Sequence, residues 1–147
     1  MVEVEIKKLS NSAKIPVHGS KEAAGYDLYA DITEDFVEIA PHSTVKIPTG
    51  VAMAIPDGYF GGIFARSGLC SREGLRPCQG VAVIDQDYRG EIIVPIHNDT
   101  DTVRFINKHD RIAQLVIIPY LTVHFKEVDK LNTTSRGTGG FGSTGTK

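Results

Sequence analysis

The segment Gln79-Gly-Val-Ala-Val-Ile-Asp85-Gln-Asp87-Tyr88-Arg-Gly90-Glu91 combines apolar residues, acids and an aromatic ring within a short span. An apolar run leads up to Asp85 and Asp87, Tyr88 follows, and a second apolar run occupies residues 92–96. Two short apolar runs separated by turn residues predict a β-hairpin whose turn carries the acids and the ring. Turn propensity alone can place acids here, so any chemistry depends on what the rest of the chain supplies.

Short apolar runs separated by proline and glycine continue on both sides of this segment. Such regular short strands predict an all-β fold, a jelly-roll-like β-barrel or sandwich, and argue against βαβ units. The one predicted helix covers Ser67–Glu73, with Ser67 as its N-cap and Gly74 just past its end. The other predicted strands cover residues 2–6, 23–30, 36–39, 44–47, 51–55, 59–64, 102–106, 111–118 and 122–128.

Composition limits the classes to which the chain can belong. The 147 residues are 41% hydrophobic and carry a net charge of −2, as expected of a single globular domain without the basic face of a nucleic-acid binder. No apolar run reaches the ~20 residues of a membrane span, and the N-terminus does not resemble a signal peptide. We therefore expect a cytoplasmic chain, or a nuclear one in a eukaryotic host. Cys70 and Cys78 match no zinc or redox motif and are expected to be reduced thiols, with a local disulfide as the alternative.

The composition changes at residue 132. Residues 132–147 are rich in Gly, Ser and Thr and have no aliphatic side chain, which predicts a flexible Gly-rich arm after a β domain of residues 1–131. A tail without function is the alternative. Phe141 has no sequence neighbour to pack on, and Arg136, Ser143 and Thr144 offer donors suited to phosphate oxygens.

Polar groups elsewhere in the chain also suit an anion. Arg66 stands beside the predicted helix start, where the amides of Ser67 and Gly68 are free to bind an anion. Gln114 lies in an apolar strand and must find a polar partner, which can be a structural one. Asp27 lies on the face of its predicted strand opposite the apolar set, where it can also simply end the strand. Together with the acids and the arm, these groups predict a nucleotide-binding protein that uses local arginines or Mg²⁺ to tolerate a polyphosphate.

Five segments, taken in order, resemble the five motifs of the trimeric dUTP pyrophosphatase (dUTPase) family. They are Ala24-Gly-Tyr-Asp27-Leu-Tyr-Ala30, Ala65-Arg-Ser-Gly-Leu69, residues 80–91, His109-Asp-Arg-Ile-Ala-Gln114 and Arg136-Gly-Thr-Gly-Gly-Phe-Gly-Ser-Thr-Gly145. The resemblance implies a jelly-roll homotrimer that uses Mg²⁺ and hydrolyses dUTP to dUMP and pyrophosphate by water attack on the α-phosphate. Such an activity limits uracil in DNA and supplies dUMP for thymidylate synthesis. Each shared site would take the hairpin from one subunit, the first, second and fourth motifs from another, and the arm from the third.

The resemblance also implies roles for single residues. Asp85 would be the general base that orients and deprotonates the attacking water. Tyr88 would pack beneath the deoxyribose and leave no room for a 2′-hydroxyl. The backbone at Val83 and Ile84, with Ile93 on the return strand, would pair with the uracil edge. The remaining implied substrate contacts are Arg66, Ser67, Gly68 and Gln114 from a neighbouring subunit, Arg136, Phe141, Gly142, Ser143 and Thr144 from the arm, and Gln79.

Asp27 would contact the Mg²⁺ region, through water rather than directly. The chain departs from the family pattern at three positions. Gln79 stands where many members have Asn at the base, Ala82 where Gly is common, and Ala65 where Pro often precedes the arginine. None of these changes removes a catalytic group, so activity is expected.

Two alternatives to this function remain at the level of sequence. The first is a relative of the dCTP deaminases on the same fold, which would lack the Tyr88 turn and the Phe141 arm. The second is a regulatory, partner-binding protein that uses a dUTP site as a switch.

Overall fold

The computed structural model describes residues 2–140, which form twelve β-strands and one helix. Every strand pair is antiparallel. No helix in this described range is long and apolar enough to cross a membrane. The elements are β1 (Glu5–Lys8), β2 (Val17–His18), β3 (Tyr26–Tyr29), β4 (Phe36–Ile39), β5 (Thr44–Pro48), β6 (Val51–Ala54), β7 (Tyr59–Phe64), α1 (Ser67–Glu73), β8 (Leu75–Pro77), β9 (Ala82–Ile84), β10 (Ile93–Asn98), β11 (Arg104–Asn107) and β12 (Arg111–Pro119).

The strands form one large sheet and three smaller ones around a single aliphatic core. The largest sheet has the order β2-β3-β12-β7-β9, a second has the order β5-β10-β8, and β1-β6 and β4-β11 are two-stranded. Leu28, Ile47, Ile63, Ile96 and Ile112 are among the fully buried side chains where these sheets meet. Residues on β5 and β10 alternate between this core and the surface, as the pleat requires, whereas β6 and β7 each bury three consecutive residues. The predicted all-β, jelly-roll-like class with one short helix is confirmed.

The hairpin predicted over residues 79–96 is wrong in its pairing. β9 pairs with β7, whereas β10 pairs with β5 and β8, so the two strands belong to different sheets. Gly61 in β7 explains part of this choice, because a Cβ there would lie 3.2 Å from the Cβ of Ile84 and 3.0 Å from Leu115. Residues 85–92 therefore connect two sheets, and the acids lie on that connection. We call residues 85–91 the acidic turn.

The helix has the predicted range but a different N-cap. Arg66 occupies the N-cap position with extended backbone, and no side chain caps the helix, so the assignment of Ser67 was wrong. The Arg66 guanidinium has only donors and cannot cap the helix; it donates to Asp27. Gly74 ends the helix as predicted, with φ of 64° and its N–H donating to the carbonyl of Cys70 at 3.1 Å. A left-handed glycine in this place is a common helix terminator.

The strand predicted at residues 122–128 is absent. Residues 120–140 form neither helix nor strand, and the side chains of Leu121, Val123, Phe125 and Leu131 are exposed. The alternation that predicted a strand is present in the sequence, but this segment pairs with no strand in the described part of the same chain. We call residues 121–131 the C-terminal segment.

Candidate functional site

The acidic turn and its flanking strands enclose a small concavity. It has a volume of about 170 Å³ and is lined by Val83, Ile84, Asp85, Tyr88, Glu91 and Ile93. The structure thus brings together the turn residues that the sequence analysis assigned to catalysis, sugar and base. β9 is an edge strand of its sheet and pairs only with β7 in the described part of the chain. Backbone groups on its other edge are therefore available to a ligand. We call this the turn concavity.

Tyr88 is fixed at both ends by hydrogen bonds within the turn. Its backbone N–H donates to the carbonyl of Asp85 at 3.1 Å, and its hydroxyl donates to the carbonyl of Glu91 at 2.9 Å. A Cβ at Gly90 would lie only 2.4 Å from the tyrosine oxygen. Gly90 is therefore needed because there is no room for a Cβ. Its backbone conformation does not require glycine, since its φ is not among the positive values of this chain. The ring remains partly exposed on its other side.

The Asp85 side chain is exposed at the rim of the turn concavity. Within residues 2–140 its carboxylate takes part in no salt bridge and no side-chain hydrogen bond, although its backbone carbonyl accepts from Tyr88. Both oxygens can therefore accept from a water molecule. A general base must be within hydrogen-bonding reach of the proton that it removes, and the position of Asp85 allows this for a water beside a bound ligand.

A second set of predicted residues meets around Asp27, which is buried. One of its carboxylate oxygens accepts from Arg66 Nε at 2.8 Å, and the other accepts from Arg111 Nη1 at 3.2 Å. Arg66 Nη1 also donates to the carbonyl of Arg111 at 3.2 Å. A buried carboxylate needs such partners, because an unpaired charge away from water is costly. We call Asp27, Arg66, Arg111 and Gln114 the arginine cluster.

Gln114 contacts the two segments that carry Arg66 and Asp27. Its Nε2 donates to the carbonyl of Ala65 at 2.8 Å, and its Oε1 lies 2.6 Å from where a Cβ of Gly25 would stand. The register places Gln114 opposite Asp27 on one side and opposite Phe64 on the other. The amide is thus held next to Arg66, with its second N–H free of any described protein acceptor.

Three residues of the site were missed by the sequence analysis. Arg111 pairs with Asp27, and Glu91 accepts the N–H of Gly50 at 2.8 Å through its side chain. Arg72 places Nη2 within 2.9 Å of the Cβ position at Gly68. The i, i+4 spacing on a helix gave a local signal for the contact of Arg72. The signal for Arg111 was weaker: an aspartate such as Asp27 is seldom buried without a charged partner, but the sequence does not say which residue that partner is.

The donor set of the arginine cluster limits how a metal ion could bind. In the described range, no group of three or more His, Cys, Asp and Glu side chains is placed to hold a metal ion. Both oxygens of Asp27 already accept from arginines. Mg²⁺ commonly keeps several waters and takes further ligands from substrate phosphates. The described residues therefore offer no direct ligand set for Mg²⁺, so an ion there would take its ligands from water and from substrate phosphates.

The turn concavity and the arginine cluster lie at opposite ends of the same strand pair. Ile84 is opposite Gly61 in the antiparallel ladder of β7 and β9, and Asp85 continues away from the end of β7 that leads to Arg66. A strand rises about 3.3 Å per residue, so Phe64 alone lies about 10 Å beyond Gly61, with Arg66 two residues further on. One chain therefore does not bring the two halves of the predicted site together.

The remaining predicted residues stand apart from both clusters. Gln79 is exposed and contacts Cys78 Sγ at 3.5 Å, and it does not line the turn concavity. Arg136 donates to the carbonyl of Gly139 at 2.9 Å within an exposed turn. Both cysteines are free and exposed. Phe141, Gly142, Ser143 and Thr144 lie outside the described residues.

The family model named dUTPase matches residues 11–145. A deoxyuridine 5'-triphosphate nucleotidohydrolase from Desulfitobacterium hafniense (strain DSM 10664 / DCB-2) is 43% identical over 145 residues, which cover 98% of this chain and 95% of that protein. A protein of the same name from Hydrogenobaculum sp. (strain Y04AAS1) is 42% identical over 142 residues, which cover 97% of each chain.

Two solved structures show the same fold. The Staphylococcus bacteriophage 80alpha dUTPase with dUPNHPP superposes with a TM-score of 0.87 at 32% identity, covering 99% of both chains. A variant of the dUTPase from phage phi11 of S. aureus, described for its coordination of a structural Mg(II) ion, gives a TM-score of 0.79 at 27% identity. That match covers 90% of this chain and all of the other.

Proposed function

The chain belongs to the dUTPase family and hydrolyses dUTP to dUMP and pyrophosphate, and we propose that it does so in a site shared between the subunits of a homotrimer. The observation that carries this proposal is the separation of the turn concavity from the arginine cluster on one chain. The concavity, about 170 Å³, is also smaller than the roughly 300 Å³ at which ligand pockets usually begin. In the proposed arrangement the concavity takes the base and sugar, and a second copy supplies the phosphate-binding groups.

The C-terminal segment and the N-terminal face of the chain support the exchange of segments between copies. An apolar groove of about 490 Å³ is lined by β1 and its surroundings, including Val4, Ile6, Ile15 and Ile117. β1 pairs only with β6 in the described range, so its other edge is open. The exposed apolar side chains of the C-terminal segment, such as Phe125, match such a groove. Addition of this segment to β1 of a neighbour would cover both. A head-to-tail contact of this kind forms a closed ring when its rotation permits, and the proposed ring has three members.

Asp85 is the proposed general base. It accepts a proton from a water whose oxygen forms a bond to the α-phosphorus, while the bond from that phosphorus to the bridging oxygen breaks and pyrophosphate leaves. No covalent intermediate with the protein is needed, because pyrophosphate is a good leaving group. Positioned proton transfer of this kind contributes about 10²–10⁴ in rate. When bound, Mg²⁺ supplies charge neutralisation on the phosphate oxygens.

The arginine cluster prepares one guanidinium for the phosphates. Arg66 is held through Nε by Asp27 and through Nη1 by the carbonyl of Arg111, which leaves Nη2 for a ligand. An arginine fixed by its neighbours loses less freedom when it binds a phosphate. Ser67, Gly68 and Gln114 complete the proposed phosphate contacts, and Asp27 contacts the metal region through water.

Base selectivity follows from the backbone of the turn concavity. Uracil presents an acceptor at O4 and a donor at N3, which the open edge at Val83 and Ile84, with Ile93 opposite, can pair. Cytosine reverses both groups and would leave buried donors and acceptors unpaired, which is how sites reject a close analogue strongly. The methyl group of thymine would meet the wall formed by the turn. Tyr88 occupies the space that a 2′-hydroxyl would need.

The arm of residues 132–147 completes the proposed site from a third subunit, after a domain of residues 1–131. Phe141 would stack on uracil, while Arg136, Gly142, Ser143 and Thr144 close over the phosphates. Closure of this kind excludes all water except the attacking molecule. Gln79 is placed near the base only by family resemblance. Hydrolysis in this site removes a uracil-bearing DNA precursor and supplies dUMP for thymidylate synthesis in the cytoplasm or nucleus.

The test is pyrophosphate release from dUTP, UTP, dCTP and dTTP in isotopically labelled water, for the wild type and Asp85→Asn. The label should enter dUMP and not pyrophosphate, because attack is at the α-phosphorus. Asp85→Asn should lower kcat by about 10²–10⁴ and leave dUTP binding nearly unchanged. Label in pyrophosphate, or an unchanged kcat, would contradict the proposed chemistry. Ammonia from dCTP would support the deaminase alternative instead.

A further inference from the structure

We propose that Glu91 is a positioning residue whose carboxylate sets the place of the Tyr88 ring and thereby the preference for deoxyribose over ribose. The inference rests on the proposed role of Tyr88 at the sugar. Glu91 itself is half-buried and lines the turn concavity. Its effect on the substrate passes through Tyr88, so it is distinct from the catalytic Asp85.

Glu91 links the tyrosine to the rest of the protein through its two oxygen-bearing groups. Its backbone carbonyl accepts the hydroxyl of Tyr88 at 2.9 Å. Its side-chain Oε1 accepts the backbone N–H of Gly50 at 2.8 Å. The carbonyl that holds the ring therefore belongs to a residue whose side chain is tied to the turn between β5 and β6.

The turn that receives Glu91 is itself rigid. Gly50 has a φ of 66°, and a Cβ there would lie 2.7 Å from the Cβ of Ala13 and also overlap the carboxylate of Asp31. The carbonyl of Gly50 accepts from the N–H of Leu9 at 2.7 Å. The neighbouring Thr49 is buried and donates its hydroxyl to the carbonyl of Ile92 at 2.6 Å. The anchor point is thus fixed by packing and by hydrogen bonds on several sides.

The acidic turn has few other ties to the protein. The remaining hydrogen bonds made by its side chains are internal, from Tyr88 to Glu91 and from Arg89 to the carbonyls of Gln86 and Tyr88. In the described part of the chain, the bond from Gly50 to Glu91 is the one side-chain hydrogen bond that joins residues 85–91 to the body of the domain. The peptide that the Glu91 carbonyl shares with Ile92 is also held, because the N–H of Ile92 donates to the carbonyl of Val51 at 2.9 Å. Loss of the bond from Gly50 therefore loosens the Glu91 carbonyl, and the ring that it holds, without releasing it.

The test compares Glu91→Ala and Glu91→Gln by the ratio of kcat/KM for dUTP to kcat/KM for UTP. Glu91→Ala removes the acceptor and should lower this ratio about tenfold, the effect of losing one hydrogen bond of ordinary strength. Glu91→Gln keeps an acceptor oxygen at the same reach and should hold the ratio within about threefold of the wild type. If Glu91→Ala does not fold, Glu91→Asp shortens the side chain by one methylene and should give the same loss.

The control for stability is Ile39→Val, a core change in β4, which lies in a different sheet from β9 and β10, the strands that flank the acidic turn. It should lower Tm and leave the substrate ratio unchanged. A ratio that stays at the wild-type value in both Glu91→Ala and Glu91→Asp would overturn the inference, as would an equal loss in Ile39→Val. A wild type that hydrolyses UTP as readily as dUTP would instead refute the role of Tyr88 on which the inference rests.

Discussion

Gly90 determines how closely the backbone of the acidic turn can approach the Tyr88 hydroxyl. Its backbone conformation is open to other residues, since its φ is not positive, but a Cβ would lie 2.4 Å from the tyrosine oxygen. We expect Gly90→Ala to displace the ring and to lower the preference for dUTP over UTP several-fold, with little loss of Tm. Steady-state kinetics on both nucleotides would measure this.

The matched control for that substitution is Gly80→Ala. A Cβ at Gly80 meets no atom within 4 Å, and its φ is likewise not positive. It should leave the substrate preference unchanged. If Gly90→Ala also leaves the preference unchanged, the close contact between Gly90 and Tyr88 does not control the position of the ring.

Single residues were predictable from the sequence where their partners are close in the chain. Asp85 and Tyr88 share one concavity because they share one turn. The partners of Arg111 and Glu91 are 84 and 41 residues away, and no local spacing reveals such pairs. Ser67 was misassigned as the N-cap because the N-cap position lies one residue earlier than expected, at Arg66, whose guanidinium has only donors and cannot cap helix N–H groups.

At the scale of elements, Asp31 holds the loop of residues 9–13 against the domain. Its carboxylate accepts from the hydroxyls of Ser10 and Ser12. Burial acts to raise the pKa of Asp31, but the two hydroxyls, aided by the charges of Lys108 and His109, outweigh it, and the net pKa is lowered. A carboxylate with a lowered folded-state pKa stabilises the fold above its unfolded pKa of about 3.9, and this contribution is lost as the pH falls through the folded value.

The double substitution Ser10→Ala with Ser12→Ala removes the cause of that lowered pKa. We expect it to be less stable than the wild type at pH near 7, with a gap that narrows as the pH falls below about 3.9. Urea unfolding followed by circular dichroism at the two pH values would measure the gap. Ser43→Ala is the control, because that hydroxyl donates to the carbonyl of Ala40 and not to a carboxylate. A gap of equal size at both pH values would show that Asp31 does not couple this loop to pH.

The positions of most strands were predictable from the sequence, but the pairing between strands was not. The ranges of β4, β7 and α1 match the sequence prediction, since alternation and glycine or proline boundaries are local properties. The pairing of β9 with β7, and of β10 with β5, depends on contacts between distant segments. The strand expected at residues 122–128 is absent for another reason. An alternating segment becomes a strand only where the edge of a sheet is available to pair with it.

At the scale of the whole molecule, one chain holds the two halves of the proposed site apart. The family motifs predicted that the halves come from different subunits, but the sequence could not show why. The register of β7 with β9 gives the physical reason, because it sends Asp85 away from Arg66 along a rigid ladder. No movement of the exposed C-terminal segment alters that ladder, so the proposed site needs the arginine cluster of a second copy.

Subunit mixing tests this arrangement directly. Asp85→Asn and Arg66→Gln should each be nearly inactive alone, because one lacks the base and the other lacks the oriented guanidinium. Unfolded together in equal amounts and refolded, the two chains assort at random. A shared site is intact when the Arg66→Gln chain supplies the turn and the Asp85→Asn chain supplies the arginine cluster. About one quarter of the sites should then be active.

The matched control replaces the Arg66→Gln chain with one that carries both substitutions. No arrangement of that double variant with Asp85→Asn can form an intact site, so the mixture should stay inactive, and size-exclusion chromatography would verify that each sample forms the same oligomer. A site complete within one chain predicts no activity in either mixture, because every chain carries a defect. Recovery of activity in the first mixture alone therefore distinguishes a shared site from one that is complete within a chain. The same test extends to the arm when a chain lacking residues 133–147 takes the place of the Arg66→Gln chain.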